Sequence, residues 1–285
     1  SNLGPLLFNL YINDLLESLE CCFLAYADDL KIYSKISKLS DALHLQAQLI
    51  KIVEWCNFNK LTINISKCCF ISYFRTQHFF DFIYQIGGTP LERKTTFKDL
   101  GVTFDSQLTF DQHITNVCSA ANKSLGFVMR ISKLFSNIDL IKTLFFVYVR
   151  SKLEYASLIW YPIYMCQHMV LDKVQRKFLK FLSFKLDGTY PNRGTDTNGL
   201  LQRHNISSLS VRRDQHAASF LAKLIRNKID CPLLLSAVQF NVPRVTSRYV
   251  NTFRLPTART NILRRAPVFT MCRCADKYIE DTGSL

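Results

Sequence analysis

The stretch Phe23-Leu24-Ala25-Tyr26-Ala27-Asp28-Asp29-Leu30-Lys31-Ile32-Tyr33 sets two adjacent carboxylates between two apolar runs. Aromatic and aliphatic residues dominate both runs, as they do in strands that are at least half buried. Aspartate suits the turn between such strands because its short side chain can hydrogen-bond the nearby backbone. The pattern therefore predicts a hairpin with Asp28 and Asp29 at its turn.

Two interpretations of this hairpin are open from its residues alone. If the flanking runs pack in a core, the two neighbouring negative charges repel each other. A divalent cation such as Mg²⁺, which prefers oxygen ligands, would remove that cost. The alternative is a surface hairpin with two solvated acids.

The positive charge of the chain lies in its second part. The 285 residues carry a net charge of +14 and are 48% hydrophobic, which is enough for a sizeable core. Residues 1–110 contain 10 Lys and Arg against 11 Asp and Glu, whereas residues 111–285 contain 26 against 11. This asymmetry predicts a balanced core unit followed by a surface for a polyanionic partner such as nucleic acid.

The ten cysteines do not form a metal-binding framework. No C-x-x-C spacing occurs, and the pair in Cys272-Arg273-Cys274 is too close for a zinc finger. We therefore predict free thiols in a reducing compartment. The longest uncharged stretch, residues 155–171, is short for a membrane span and contains Pro162, so no membrane partner is expected.

Periodicity in residues 1–110 predicts an α+β arrangement. Helical spacing of leucines follows Pro5, and a second apolar stripe follows Ser40, which we expect to cap that helix. Residues 61–65, 68–73 and 97–104 are predicted strands, the last bending at Gly101.

From Asp111 onward the pattern becomes helical. Helices are predicted over 112–135 and 138–155, and a third carries Leu171, Val174, Phe178, Leu179 and Leu182 on its apolar face. The opposite face of the third helix carries Lys173, Arg176, Lys177 and Lys180. A solvated face, a membrane-surface helix and a nucleic-acid groove all fit this basic helix, and the charge of the region favours the groove.

The C-terminal part is predicted to be an arginine-rich arm. A linker is expected at 187–199 and a helix at 211–229. Residues 231–275 contain no acid and are interrupted by prolines, which predicts an extended, partly irregular segment suited to phosphates and bases. Its candidate contacts are Arg244, Arg248, Arg254, Arg259, Arg264 and Arg265. The alternative is a disordered basic tail.

Several motifs in order resemble the reverse transcriptases of non-LTR (LINE-type, jockey- and CR1-like) retrotransposons. Residues 1–15, SNLGPLLFNLYINDL, resemble the block B helix of that family, and Tyr26-Ala27-Asp28-Asp29 is similar to its catalytic Y/F-x-D-D turn. Leu100-Gly101-Val102 resembles the hairpin beside the primer, and residues 150–160, RSKLEYASLIW, resemble a thumb helix. Arg259-Thr260-Asn261 also fits the group.

The resemblance implies a domain order. Residues 1–110 would be the rear of a polymerase palm, with antiparallel strands and packed helices. Residues 111–185 would be an all-helical thumb, and residues 186–285 a helical and arginine-rich C-terminal region. The preceding block A strand and the fingers would lie before Ser1, on the missing N-terminal half of the same polyprotein.

The resemblance also implies the chemistry. Two Mg²⁺ ions, with Mn²⁺ as a substitute, would lie roughly 3.5–4 Å apart and bind three carboxylates. Asp28 would be a direct ligand, Asp29 a neighbouring one, and Tyr26 would lie beside the primer terminus. Lys67 would protonate the leaving pyrophosphate, although a lysine at a strand edge is the plainer interpretation. Gly101 would lie in the hairpin that holds the primer strand.

The expected function is template-directed addition of dNTPs to a primer 3′-hydroxyl, with an RNA template and a DNA primer as partners. The isolated chain is expected to be inactive because the block A aspartate and the fingers would be absent. A non-enzymatic nucleic-acid-binding remnant of a decayed element is the alternative. A group II intron maturase or telomerase-like polymerase fits the C-terminal residues less well. Retrotransposition would imply localisation in the nucleus and cytoplasm.

Overall fold

The computed structural model describes residues 3–74, 81–242, 251–255 and 257–282. Helices are mixed with small sheets, in agreement with the predicted α+β class. The chain divides into two compact units, residues 1–97 with 105–107 and residues 98–104 with 108–285. None of the helices in the described ranges is long and apolar enough to cross a membrane.

The first unit begins with a helix, a hairpin and a second helix. Helix α1 spans Leu3–Ser18, strands β1 and β2 span Cys22–Tyr26 and Asp29–Tyr33, and α2 spans Leu39–Phe58. Asp41, rather than Ser40, completes the start of α2, since its carboxylate accepts hydrogen bonds from the Ser37 and Lys38 amides.

Short strands complete this unit. Strands β3 (Cys69–Phe70), β4 (Gln85–Ile86), β5 (Thr89–Pro90) and β6 (Glu92–Arg93) form two pairs, β3 with β6 and β4 with β5. Their core contains Ala42, Tyr84, Ile86 and Leu91. The predicted strand at 61–65 is wrong: residues 61–64 are irregular, and a 3₁₀ turn spans Ile65–Lys67. The predicted strand at 68–73 is shorter than expected, because only Cys69–Phe70 pair with a neighbour.

The sequence predicted one strand at 97–104 that bends at Gly101, and the structure has a hairpin of two strands there. Strands β7 (Thr96–Asp99) and β8 (Val102–Asp105) are joined by Leu100 and Gly101, which both have positive φ, 43° and 87°. A two-residue turn with both φ values positive matches the twist of the flanking strands, and glycine favours such a position.

The second unit begins with the predicted run of amphipathic helices. Helix α3 spans Asp111–Ile131, α4 spans Ile138–Phe145, a π-helical turn spans Phe146–Arg150, and α5 spans Ser151–Glu154. Helix α6 spans Met165–Asp187 and buries the predicted apolar face. The rings of Phe145 and Phe178 stack in the hydrophobic core of this unit, with their centroids 3.8 Å apart.

The C-terminal part is more helical than the sequence predicted. Helices α7 (Thr197–His204), α8 (Leu209–Ile225), α9 (Pro232–Ser236), α10 (Asn261–Arg265) and α11 (Pro267–Thr282) follow. Helix α11 packs on α8, where Leu221 and Leu224 meet Met271, Cys272 and Ala275 in a second core. The expectation of an extended arm is therefore wrong for residues 261–275, because this small-residue face is buried.

Candidate active site and nucleic-acid interface

The two candidate metal-binding carboxylates lie at the end of the predicted hairpin. Strands β1 and β2 are antiparallel, and their last cross-strand pair is Tyr26 with Asp29. This register leaves Ala27 and Asp28 as a two-residue turn. Asp28 and Asp29 are both exposed, so the hairpin presents adjacent carboxylates to solvent. That geometry agrees with the sequence prediction for the turn.

The turn holds one residue in an uncommon conformation. Ala27 has a φ of +52°, in the left-handed region that glycine adopts readily and alanine does not. Such a conformation costs of the order of 1 kcal/mol unless the surroundings impose it. The strain therefore lies directly beside the two carboxylates.

The hairpin and the first helix expose apolar side chains. Leu24 and Tyr26 are 55% and 64% exposed, and Leu6 and Leu10 of α1 are 56% and 68% exposed. Only Leu15 of α1 is buried in the described part of that helix. The hairpin and α1 thus both expose apolar side chains within the part of the chain that the structure describes.

Lys67 lies on a different element from the hairpin. It ends the 3₁₀ turn Ile65–Lys67 and is exposed. Within the described ranges, no hydrogen bond or ion pair connects Lys67 with Asp28 or Asp29. Tyr26, Asp28 and Asp29 therefore lie on one hairpin, whereas Lys67 lies on a separate element later in the sequence.

The Asp28 and Asp29 carboxylates have the ligand chemistry of a hard divalent cation, because Mg²⁺ prefers oxygen ligands. Among the described residues, no three His, Cys, Asp or Glu side chains form a group that could hold a metal ion.

The basic face of α6 follows the predicted pattern. Lys173, Arg176 and Lys177 are exposed, and Lys180 is half-buried. Lys177 Nζ donates to Asn122 Oδ1 at 2.9 Å, and Lys180 Nζ donates to the Asn192 carbonyl at 2.9 Å. These contacts hold two of the four cations along the solvent side of the helix.

The arginines of the C-terminal region fall into separate environments. Arg254, Arg259 and Arg264 are exposed, as contact with a phosphate requires. Arg265 is only 5% exposed, and its guanidinium donates to the carbonyls of Leu108 and Thr109. Arg265 therefore cannot contact a phosphate while its guanidinium is buried against these carbonyls. Arg244 and Arg248 lie outside the described residues.

Gly101 is fixed by its neighbours in the second unit. A Cβ atom at this position would lie 3.2 Å from Cε1 of Tyr155. The Tyr155 hydroxyl also donates to the Leu100 carbonyl at 2.9 Å. The turn is thus held against the segment that follows α5.

Sequence reasoning missed a polar cluster at the start of α6 and α8. Arg213 is 1% exposed, and its Nη2 lies 3.2 Å from Nδ1 of His168. Burial lowers the pKa of Arg213, while the nearby Asp172 raises it. The sequence signal was weak, because Arg212-Arg213-Asp214 is an ordinary charged triplet on a helix.

The first part of the chain is similar to known proteins. Residues 1–104 match the family "Reverse transcriptase (RNA-dependent DNA polymerase)". The chain is 26% identical over 129 residues to the "RNA-directed DNA polymerase from mobile element jockey" of Drosophila melanogaster, covering 42% of this chain and 14% of that protein. It is 29% identical over 126 residues to the protein of the same name in Drosophila funebris, covering 41% and 14%.

The match therefore spans about one seventh of each relative. No solved structure matches the chain. The family match contains the whole β1–β2 hairpin with its two carboxylates. Residues 1–104 are thus similar to the reverse transcriptase family, and about two fifths of the chain is similar to the two jockey RNA-directed DNA polymerases.

Proposed function

We propose that this chain is part of an RNA-directed DNA polymerase that adds dNTPs to a primer 3′-hydroxyl on an RNA template. The observation that carries the proposal is the exposed carboxylate pair Asp28–Asp29 on a hairpin turn within residues 1–104. Two adjacent carboxylates on a rigid turn are a suitable half-site for divalent cations in phosphoryl transfer.

In this function Asp28 and Asp29 bind Mg²⁺, which Mn²⁺ can replace. The ions supply Lewis-acid activation of the primer hydroxyl and stabilisation of the leaving pyrophosphate. Asp28 and Asp29 would hold the ions, and Tyr26, which is exposed and paired with Asp29, would contact the primer terminus. Lys67 remains a candidate proton donor to pyrophosphate.

Residues 1–110 would act as the rear of the palm, with the Leu100–Gly101 turn beside the primer. Residues 111–185 would act as a thumb that holds the template-primer duplex, and residues 186–285 as a C-terminal nucleic-acid-binding region. The basic face of α6 supports this assignment, because lysine and arginine contact phosphates without regard to sequence. Localisation in nucleus and cytoplasm would follow from retrotransposition.

We further propose that residues 1–285 alone do not extend a primer. The two carboxylates on the turn supply fewer ligands than a two-metal site uses, and the exposed leucines of α1 suggest a palm completed by other sequence. The test compares residues 1–285 with the same chain joined to an N-terminal polymerase segment that carries a third metal-binding carboxylate.

The joined protein should extend an RNA-templated primer in Mg²⁺ or Mn²⁺, and Asp28→Asn in it should abolish extension while RNA binding persists. Asp81→Asn, which changes an exposed aspartate away from the hairpin, is the matched control. Extension by residues 1–285 alone would overturn the inactivity proposal. Loss of RNA binding together with activity in Asp28→Asn would make that residue structural.

A second candidate function is nucleic-acid binding without catalysis, by the remnant of a decayed element. The excess of positive charge in residues 111–285, 26 Lys and Arg against 11 Asp and Glu, favours it independently of the carboxylates. Failure of every joined protein to extend a primer, with retained RNA binding, would select this function.

A further inference from the structure

A cavity of about 500 Å³ opens in the second unit where the start of α6, the start of α8 and the α10–α11 segment meet. Its lining includes Tyr164, Ser210, Asn261, Arg264 and Arg273. Among the described residues that line it, none is acidic. Its size falls within the range of roughly 300–1,000 Å³ that is typical of small-ligand sites.

Two exposed arginine side chains line this cavity. Arg264 in the last turn of α10 and Arg273 of α11 both line the cavity, and both are exposed. The Arg273 guanidinium carbon lies 5.5 Å from the ring centroid of Tyr161. Stacking on a tyrosine restricts the guanidinium without using its hydrogen-bond donors, so those that do not contact Cys274 can bind a phosphate.

An aromatic ring lies beside the two arginines. Tyr164 is 41% exposed, and its hydroxyl accepts a hydrogen bond from Asn261 Nδ2 at 2.8 Å. The buried Arg265 guanidinium carbon lies 5.7 Å from the centroid of the same ring. Because Arg265 is itself fixed by backbone carbonyls, the Tyr164 ring is held in place before any ligand binds.

A buried arginine, Arg213, contacts His168 of the cavity lining, and the carboxylate of Asp172 lies close to both side chains. Arg213 can only donate, so its Nη2 makes His168 Nδ1 the acceptor and leaves the imidazole neutral with its proton on Nε2. In the described part of the chain, Arg213 Nε and Nη1 have no hydrogen-bond partner. Asp214, the nearest acid to Tyr161, is already engaged by the Tyr161 hydroxyl at 2.5 Å and by Lys277 at 3.4 Å.

We propose that this cavity binds one unpaired nucleotide of a single-stranded nucleic acid. Its phosphate lies between Arg264 and Arg273, and its base stacks on Tyr164. Ser210 and the Oδ1 atom of Asn261 offer hydrogen bonds to the base edge or the sugar. An aromatic ring between cations is a general arrangement for sequence-tolerant binding of single strands.

The inference rests on the proposed function for its class of partner, but it names a different surface. The basic face of α6 would hold a duplex through phosphates, whereas this cavity admits a base only where the strand is unpaired. The cations of the α6 face and the residues of the cavity can therefore be substituted separately.

The test measures binding of short labelled oligonucleotides to residues 1–285 by fluorescence anisotropy. Single-stranded RNA, single-stranded DNA, the matching duplexes and free nucleoside monophosphate are compared. Arg264→Gln with Arg273→Gln should weaken single-strand binding about ten-fold and reduce the salt dependence by roughly one phosphate contact. Tyr164→Ala should weaken it about ten-fold, while Tyr164→Phe, which keeps the ring, should not.

Two control variants separate the cavity from the rest of the surface. Lys223→Gln with Lys228→Gln removes the same charge from exposed positions that do not line the cavity. Lys173→Gln with Arg176→Gln removes charge from the α6 face and should weaken duplex binding more than single-strand binding. Far-UV circular dichroism of each variant checks that the fold is retained.

A second measurement uses the unmodified chain. Oligonucleotides with 5-iodouracil form crosslinks to stacked aromatic side chains on irradiation, and mass spectrometry should locate the adduct on Tyr164. The inference is overturned if the Arg264 and Arg273 variant binds like the Lys223 and Lys228 variant, or if crosslinks avoid Tyr164.

The remaining outcomes distinguish this inference from the proposed function. Free monophosphate binding as tightly as an oligonucleotide would make the cavity a mononucleotide site and overturn the strand assignment. Loss of binding only in the α6 variant would keep the proposed function and overturn the cavity. Absence of binding to every nucleic acid would overturn both.

Discussion

The Tyr155 hydroxyl donates to the Leu100 carbonyl at 2.9 Å across 55 residues of sequence. The same ring lies 3.2 Å from the position that a Cβ on Gly101 would occupy. One tyrosine thereby fixes both residues of the β7–β8 turn. The close approach and the φ of +87° each favour glycine at position 101.

Gly101→Ala should therefore destabilise the second unit. The added methyl group would press on Tyr155 in a backbone conformation that alanine rarely adopts, so the free energy of unfolding should fall by about 1–3 kcal/mol. Urea unfolding followed by circular dichroism measures the change. Gly126→Ala is the control, because its Cβ would lie 3.5 Å from Arg130 Nη1 inside α3, where alanine raises stability. Equal effects of the two variants would contradict the prediction.

Ala27→Gly should stabilise the hairpin that carries Asp28 and Asp29. Glycine accepts the φ of +52° that alanine adopts at a cost, although glycine also loses more freedom on folding. We expect slower amide hydrogen exchange in β1 and β2. Ala25→Gly, within the strand, should act in the opposite direction. Faster exchange in Ala27→Gly would show that the turn is not strained.

The second unit should lose stability as the pH falls below about 6.5, the ordinary pKa of histidine. Burial lowers the pKa of His113 and of His204 in the folded protein. The unfolded chain therefore takes up protons that the folded chain excludes, so stability present above this pH is lost below it. The loss should grow as the pH falls further below this value, because each buried imidazole excludes a proton that the unfolded chain binds.

Urea unfolding at neutral and mildly acidic pH tests this through the fluorescence of the buried Trp160, with Trp55→Phe removing the other tryptophan. His113→Gln keeps a side chain that can accept from the Thr103 amide but does not titrate. In this variant the free energy of unfolding should fall less between neutral and mildly acidic pH, because one titrating histidine has been replaced. An unchanged pH dependence would show that His113 does not contribute.

The thiols of the second core should resist alkylation at neutral pH. Burial raises the pKa of Cys272 to about 11 and that of Cys274 to about 12, so the reactive thiolate is scarce. Iodoacetamide followed by mass spectrometry should modify the exposed Cys22 and Cys166 first. Modification of Cys272 as fast as Cys166 would mean that α11 detaches from α8.

The sequence predicted the elements whose signal is local. The hairpin of Asp28 and Asp29 follows from two apolar runs around a polar turn, and the buried face of α6 follows from five residues at helical spacing. Helix α11 was not predicted, because its buried face of Met271, Cys272, Cys274 and Ala275 is short and follows a segment that four prolines interrupt. Arginine content in that segment pointed instead to an exposed arm.

The candidate cavity could not be predicted, since its residues come from distant parts of the sequence. Tyr164, Ser210, Asn261 and Arg273 are brought together only by the packing of α6, α8 and α11. Arg264 and Arg265 illustrate the same limit: adjacent arginines look alike in sequence, yet one is exposed and the other is buried against backbone carbonyls.

The packing of α11 on α8 has a consequence for shortened forms of this chain. A chain that stops shortly before Pro267 would lack the helix that covers Leu221 and Leu224. The shortened product would expose an apolar strip to solvent, and such strips drive aggregation and attract proteases. Truncation at this point should therefore remove the polypeptide from the cell rather than leave a shorter folded version.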